Sequence, residues 1–216
     1  MNVTRKIPSH EATYARMRDL VLFGGLAPGQ AVTIQGLCEE LGAGMTPVRE
    51  ALRRLAAEGA LVAKGNRRIA VPRLTAAELD EIGHARLAIE PRLAALAAPR
   101  LDGRAVARLA EIDAALDAAI ASGDVAGYLR ENHRFHFTLY EAAGAEVLTR
   151  LARMLWLRIA PSLRVVCAGA PGMPDRHRDA LAALQAGDAA RLEAALRADI
   201  AEGMAHVAEA LESGAI

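Results

Sequence analysis

The chain is poor in aromatic residues and cysteine, and it has no long apolar run. Aromatic residues make up 3% of its 216 residues. No apolar stretch approaches the roughly 20 residues that a membrane-spanning helix needs, and the N-terminal segment lacks the apolar centre of a signal peptide. Cys38 and Cys167 have no partner at CxxC spacing, which favours reduced thiols over a disulfide. We therefore expect a cytoplasmic protein.

Sequence motifs of common enzymes are also missing. The chain contains no nucleophile elbow, no HExxH helix and no glycine-rich phosphate loop. We therefore expect that the protein is not an enzyme. A metal-dependent hydrolase with a helical core is the alternative from another functional class, because a fold class does not decide function by itself.

Composition and charge predict two domains. Hydrophobic residues make up 53% of the chain and charged residues 24%, which is enough apolar material for a buried core. Residues 1–73 hold 11 Lys and Arg against 6 Asp and Glu, whereas residues 74–216 hold 15 against 20. The neutral total therefore conceals a basic domain followed by an acidic one, and a basic domain is typical of nucleic-acid binding.

Residues 46–55 predict an amphipathic helix with arginines on its exposed side. Its buried face is predicted from four apolar residues at helical spacing: Val48, Ala51, Leu52 and Leu55. Pro47 is tolerated only in a first helical turn, so the helix begins near Gly44 or Thr46 and Arg49 lies close to its N-terminus. The alternative is a solvated helix in which Glu50 and Arg54 form an ordinary i, i+4 pair.

The neighbouring segments favour a winged helix-turn-helix. Thr33 is suited to cap a short preceding helix, and residues 42–44 supply a glycine-containing turn between the two helices. Gly59 ends the second helix. Two short apolar runs, 61–63 and 69–71, predict a hairpin whose basic turn is suited to phosphates or the minor groove.

This half of the chain resembles the DNA-binding domain of GntR-type transcription regulators. The resemblance is carried by Gly25-x-x-Pro28-Gly29 and by Thr46-Pro47-Val48-Arg49-Glu50-Ala51-Leu52-x-x-Leu55-x-x-Glu58-Gly59. It implies a homodimer that binds a palindromic operator in double-stranded DNA, with Arg49 reading a base. The candidate DNA-binding residues are Thr46, Arg49, Arg53, Gln35, Met45, Arg67 and Arg68. Met45 stands where the family often has an arginine that contacts DNA, Gly44 where serine is usual, and Arg68 where glycine is common.

The second half is predicted to be all helical. Alanine and leucine recur at helical spacing, and Thr75-x-x-Glu78 is a capping box after a linker at 72–74. Six helices are expected, at about 75–99, 102–121, 124–143, 147–166, 175–186 and 189–211. The predicted fold class is therefore mainly α, with an N-terminal winged helix-turn-helix domain (1–73) followed by an all-α antiparallel helical bundle (74–216).

Polar residues on the apolar faces of three of these helices predict a metal site. Asn132 and His136 share a face, and His177 and Asp199 lie on the apolar stripes of two other helices. A buried imidazole or carboxylate costs a few kcal/mol unless it finds a partner. One carboxylate, two imidazoles and a carboxamide suit a divalent transition ion such as zinc, nickel or manganese. The alternative is a metal-free polar cavity, because a single inward histidine is more often a hydrogen-bonded core residue.

The second half also resembles the ligand-sensing FCD domain of the FadR subfamily. The resemblance is carried by Arg86-x-x-x-Glu90, by Asn132-x-x-Phe135-His136-x-x-Leu139 and by His177. It implies a metal held at Asn132, His136 and His177, with Asp199 in the place of the family's last histidine and His206 as a substitute for it. His133 is expected to be solvated.

The same resemblance implies a small-molecule effector, with an organic acid expected. Arg86 and Arg158 are the candidate effector-binding residues, through two-point contacts to an anion. For Arg86, an i, i+4 pair with Glu90 is the alternative. The expected function is a DNA-binding transcription regulator whose operator affinity changes when the effector binds. A constitutive regulator with a metal-free cavity is the alternative within the same class.

Overall fold

The computed structural model describes residues 10–64, 68–169 and 176–216. Within these residues the protein is mainly helical. The helices are α1 (His10–Leu22), α2 (Ile34–Leu41), α3 (Met45–Ala57), α4 (Ala76–Ala97), α5 (Gly103–Ser122), α6 (Val125–Ala142), α7 (Glu146–Gly169), α8 (His177–Gln185) and α9 (Ala189–Glu212). A short 3-10 turn, Ala98–Arg100, follows α4. No helix in these ranges is both long and apolar enough to cross a membrane.

The predicted caps define the helix-turn-helix. The Thr33 hydroxyl accepts a hydrogen bond of 3.1 Å from the Gly36 amide, which satisfies one of the free N–H groups at the start of α2. Gly42 ends α2 with a φ of 56°, a conformation that favours glycine. Helix α3 begins at Met45, and Val48, Ala51, Leu52 and Leu55 are buried as its apolar spacing predicts.

The structure adds two elements to the predicted N-terminal domain. Helix α1 packs against α3, and the sequence analysis did not identify it. Strand β1 (Ala31–Val32) pairs with β3 (Arg68–Ala70), which also pairs with β2 (Val62–Lys64), so the sheet is antiparallel with the order β1-β3-β2. The predicted hairpin is thus the larger part of a three-stranded sheet.

The six predicted C-terminal helices are present as α4 to α9. Their caps are largely those expected: Thr75 and Glu78 form a reciprocal capping box, and Asp102 and Asp188 accept hydrogen bonds at the starts of α5 and α9. Short connections join α5 to α6, α6 to α7 and α8 to α9, and the two helices of each pair pack together. Helix α4 packs against α9, α7 and α6, while α8 packs between α5 and α9. The start predicted for the fifth helix, Asp175, lies outside the described residues.

The N-terminal domain contacts the bundle mainly through α1 and α7. One cluster of buried apolar side chains extends from Met17 of α1 and Leu55 of α3 to Leu93 of α4 and Trp156 of α7. The DNA-reading candidate α3 and the polar interior of the bundle are therefore joined through α1 and α7.

Candidate functional site

Helix α3 exposes a basic face opposite its buried one. Arg53 is paired with Glu50 at 2.7 Å, and Arg54 is paired with Glu11 and Glu58. Arg49 is exposed and forms no ion pair with any residue that the structure describes. The alternative Glu50–Arg54 pair does not form. Arg49 is thus the α3 arginine that is available to a partner outside the chain.

The remaining candidate DNA-binding residues lie around this face. Met45 and Thr46 are exposed in the first turn of α3. Gln35 is exposed on α2, where its amide donates to Glu39 at 3.3 Å. Arg67 lies outside the described residues, and for Arg68 only the backbone, at the start of β3, is described.

Inside the bundle, His136, His177 and Asp199 converge from α6, α8 and α9. One ligand atom from each residue lies within 4.8 Å of the other two. His136 Nε2 and Asp199 Oδ2 are 3.3 Å apart. Two ligand atoms on a tetrahedral ion, with bonds of about 2.1 Å, are separated by about 3.4 Å. The separation of His136 and Asp199 therefore matches that of two ligands on one divalent ion, and His177 lies close enough to be a third candidate.

Hydrogen bonds set the tautomer of His136. Tyr140 donates its only hydroxyl proton to Glu90 Oε2 at 2.7 Å, so its oxygen must accept from His136 Nδ1, which lies 2.9 Å away. The proton of a neutral imidazole is then on Nδ1, and Nε2 directs a lone pair toward Asp199. Burial lowers the pKa of His136 and outweighs the opposing effect of Asp199, which favours this neutral form. Two electron-rich atoms face each other, an arrangement that a cation stabilises.

Asp113 of α5 sets the tautomer of His177 in the same way. The carboxylate lies 3.1 Å from His177 Nδ1, and both side chains are buried. Since a carboxylate only accepts, Nδ1 donates, and a metal would be bound through Nε2. The His177 ring also stacks on Phe135, with centroids 3.9 Å apart. A histidine held by a carboxylate in this way is typical of metal ligands.

The Arg86–Glu90 pair is the alternative that the sequence analysis left open, and it forms. Arg86 Nε and Nη2 donate to the two oxygens of Glu90 at 2.6 and 3.1 Å, and both residues are buried. Trp156 Nε1 also donates to Glu90, at 3.1 Å. Burial acts to lower the pKa of Arg86, but the Glu90 carboxylate outweighs it and the net pKa is raised. The effector role of Arg86 stays a prediction.

A cavity of about 50 Å³ adjoins the cluster. Arg86, Asn132, His136 and Asp199 are among its lining residues, together with Cys167, which the sequence analysis assigned no role. Asn132 is half-buried, and its service as a ligand stays a prediction. His206, the predicted substitute for Asp199, is not in the converging group.

Two expectations for this region are corrected. Arg158 does not line the cavity: its guanidinium donates to Glu78 at 3.0 Å, and its aliphatic part lies beside Gly59. Arg158 thus lies where α7 meets the N-terminal domain. His133 is not solvated: its ring stacks on Phe137 with centroids 4.3 Å apart, and desolvation lowers its pKa to about 3.

Asp113 and Tyr140, which hold the ligands in place, were not predicted from the sequence. Asp113 lies on an apolar stripe with Leu109 and Leu116, and an acid on such a stripe is the signal that identifies it. Tyr140 follows His136 by one helical turn, but its bond to Glu90 joins α6 to α4 and has no local sequence signal.

Comparisons with known proteins agree with these two regions. Residues 9–71 match the sequence model described as bacterial regulatory proteins, gntR family, and residues 81–202 match that of the FCD domain. The chain is 34% identical over 140 residues to the HTH-type transcriptional regulator McbR of Escherichia coli K12, a match that covers 65% of this chain and 63% of that protein.

Two further comparisons extend over most of the chain. It is 28% identical over 207 residues to a probable D-xylose utilization operon transcriptional repressor of Paenarthrobacter nicotinovorans. This match covers 93% of this chain and 91% of that protein. The solved structure of E. coli McbR/YncC superposes with a TM-score of 0.86 at 27% identity, covering 94% of this chain and 99% of that one.

Proposed function

Since this chain belongs to the GntR family of bacterial regulatory proteins and carries an FCD domain, we propose that it is a transcription regulator that binds an operator in double-stranded DNA. Members of this family are regulators rather than enzymes, so the hydrolase alternative has no support. We propose that residues 1–73 form the DNA-binding domain and that residues 74–216 form the effector domain.

The DNA-binding proposal rests mainly on Arg49, which is exposed and has no ion pair within the described part of the chain. It lies in the first turns of α3, the part of a recognition helix that meets base edges in the major groove. A guanidinium at this place is suited to bind guanine O6 and N7 with two hydrogen bonds. Arg53 is held by Glu50 and is better placed for a phosphate.

We infer that the protein acts as a homodimer, with a second copy packed on α7. Six large hydrophobic side chains are exposed in the described residues, and three of them lie at helical spacing on this helix: Val147, Leu151 and Met154. Ion pairs flank the stripe, between Glu146 and Arg150 and between Arg153 and Glu141. A self-complementary apolar stripe with a charged rim is typical of a two-fold interface.

We propose that His136, His177 and Asp199 hold a divalent transition metal, with Asn132 as a further oxygen ligand. The facing lone pair and carboxylate at 3.3 Å support this assignment. Bound there, the ion would supply a positive charge and open positions for water or an anionic ligand. Asp113 and Tyr140 would orient the two imidazoles, and the metal-free cavity is the alternative.

A small organic acid is the proposed effector. The acid's carboxylate would bind at the metal, and Arg86, which donates two hydrogen bonds to Glu90, lines the same cavity as a second candidate contact. The cavity beside the cluster is small, about 50 Å³, so we expect the effector to be a small acid. Thermal shifts of the metal-loaded protein with carboxylates of increasing size test this limit: stabilisation by acetate-sized acids that falls off with size is expected, and stabilisation only by large acids contradicts it.

Selection of binding sites from a pool of random duplex DNA tests the proposed function as a whole. We expect enrichment of an inverted repeat whose half-sites are about one helical turn of DNA apart. Recovery of no common sequence after repeated selection would contradict it.

A further inference from the structure

Met45 is an exposed apolar side chain at the start of the proposed recognition helix. It is the first residue of α3 and is 59% exposed. Among the described residues, only Val147 is a more exposed large hydrophobic residue. Met45 is not among the buried residues of α3, so most of its side chain is free to contact a partner.

The position of Met45 places it on the same face as Arg49. Residues separated by four on a helix are neighbours, with Cβ atoms about 5–6 Å apart. Successive base pairs in B-DNA are separated by about 3.4 Å. A side chain at Met45 and one at Arg49 therefore reach base pairs that are adjacent or one step apart.

The chemistry of Met45 selects one feature of the major groove. A thioether side chain offers no hydrogen-bond donor, so it cannot bind guanine as an arginine does. The apolar group that a base presents in the major groove is the C5-methyl of thymine. Methionine is unbranched and polarizable, which lets it adapt its shape to such a methyl group.

We propose that Met45 determines part of the operator sequence by contacting the C5-methyl of a thymine within two base pairs of the guanine read by Arg49. This inference rests on the proposed DNA-binding function. It makes thymine at that position a requirement of each half-site, in addition to the guanine.

Deoxyuridine tests the contact directly, because it differs from thymidine in the major groove only by the missing methyl. The selected operator is synthesised with deoxyuridine in place of one symmetric pair of thymidines at a time, and binding of the full-length protein is measured by fluorescence anisotropy. For wild type we expect that deoxyuridine at one symmetric pair of positions near the guanine weakens binding. The expected loss is about four-fold per half-site, which is the factor for losing one buried methyl.

The Met45→Ala variant should bind the thymidine and deoxyuridine operators equally at that position. Ile120→Ala, which truncates a 38% exposed side chain on α5, is the matched control and should discriminate like wild type. Circular dichroism confirms that both variants are folded. If wild type tolerates every deoxyuridine, or if Met45→Ala keeps the full discrimination, the inference is wrong. Neither result touches the proposed function, which fails instead if no specific operator is selected.

Discussion

Asp113 Oδ1 lies 3.1 Å from His177 Nδ1, and this contact fixes which nitrogen of His177 faces His136 and Asp199. The two residues are far apart in the sequence and belong to α5 and α8. Neutral imidazole binds a metal through its unprotonated nitrogen. Because the carboxylate holds the proton on Nδ1, Nε2 is free to act as a metal ligand.

Asp113→Asn should therefore weaken metal binding. Loss of the carboxylate charge makes the ring a poorer ligand and less firmly oriented, and we expect an affinity about 10- to 100-fold lower. Competition with a chelator of known affinity measures this change. Asp117→Asn, one turn later on α5 and paired with Arg178 at the surface, is the matched control. Equal affinities for Asp113→Asn and Asp117→Asn would contradict the assigned role.

Trp156 should report metal binding by its fluorescence, because it is the only tryptophan of the chain and its ring centroid lies 5.0 Å from that of His136. An open-shell ion such as Ni²⁺ at the cluster should quench its emission with saturable dependence on concentration. His136→Ala should abolish the response. The control His84→Ala removes an exposed histidine of α4 and should leave the response intact. Quenching that persists in His136→Ala would place the ion elsewhere.

Tyr14 should contribute stability that is lost at alkaline pH. Desolvation and the bond from its hydroxyl to Glu58 raise its pKa to about 12, above the value near 10 of an unfolded chain. The folded state thus holds the proton more tightly, so the contribution is full below pH 10 and falls as the pH rises toward 12. For this half-buried bond we expect about 1 kcal/mol.

Urea unfolding of wild type and Tyr14→Phe at pH 9 and at pH 11.5 measures this contribution. Tyr14→Phe should be less stable than wild type at pH 9, and the difference should shrink at pH 11.5. A difference that does not change with pH would show that the hydroxyl of Tyr14 is not the titrating group.

Local sequence signals predicted much of the fold and the ligands of the site. The spacing of Val48 to Leu55 and the capping box at Thr75 depend on neighbouring residues only, and the structure contains both. The convergence of His136, His177 and Asp199 was predicted because each lies on an apolar stripe. Helix α1 was missed because its apolar pattern is weak.

Contacts between distant segments were not predictable in the same way. The spacing of apolar residues predicts which face of α7 is buried but not which element covers it. Arg158 was therefore predicted to line the cavity, whereas it contacts Glu78. The expectation that His133 is solvated was wrong for the same reason, because Phe23, which follows α1, packs against its ring. Strand β1 is two residues long and forms only because β3 offers it a partner.

Leu151→Glu should break the proposed dimer. The substitution places a charge in the centre of the exposed stripe on α7, where it would be desolvated in an interface. Sedimentation equilibrium should give twice the chain mass of 22.8 kDa for wild type and the single mass for the variant. Ile120→Glu, outside the stripe, should remain dimeric. A dimeric Leu151→Glu protein would place the interface on another surface.

The affinity of Arg49→Ala for the selected operator tests the central claim most directly. Fluorescence anisotropy is measured against the operator and a scrambled duplex at one salt concentration, with Arg104→Ala, an exposed arginine of α5, as the charge-matched control. Each arginine–guanine pair is worth about 1–3 kcal/mol and a dimer has two, so we expect discrimination to fall at least about 30-fold. Arg49→Ala protein that distinguishes the operator from the scrambled duplex as well as wild type does would contradict the account.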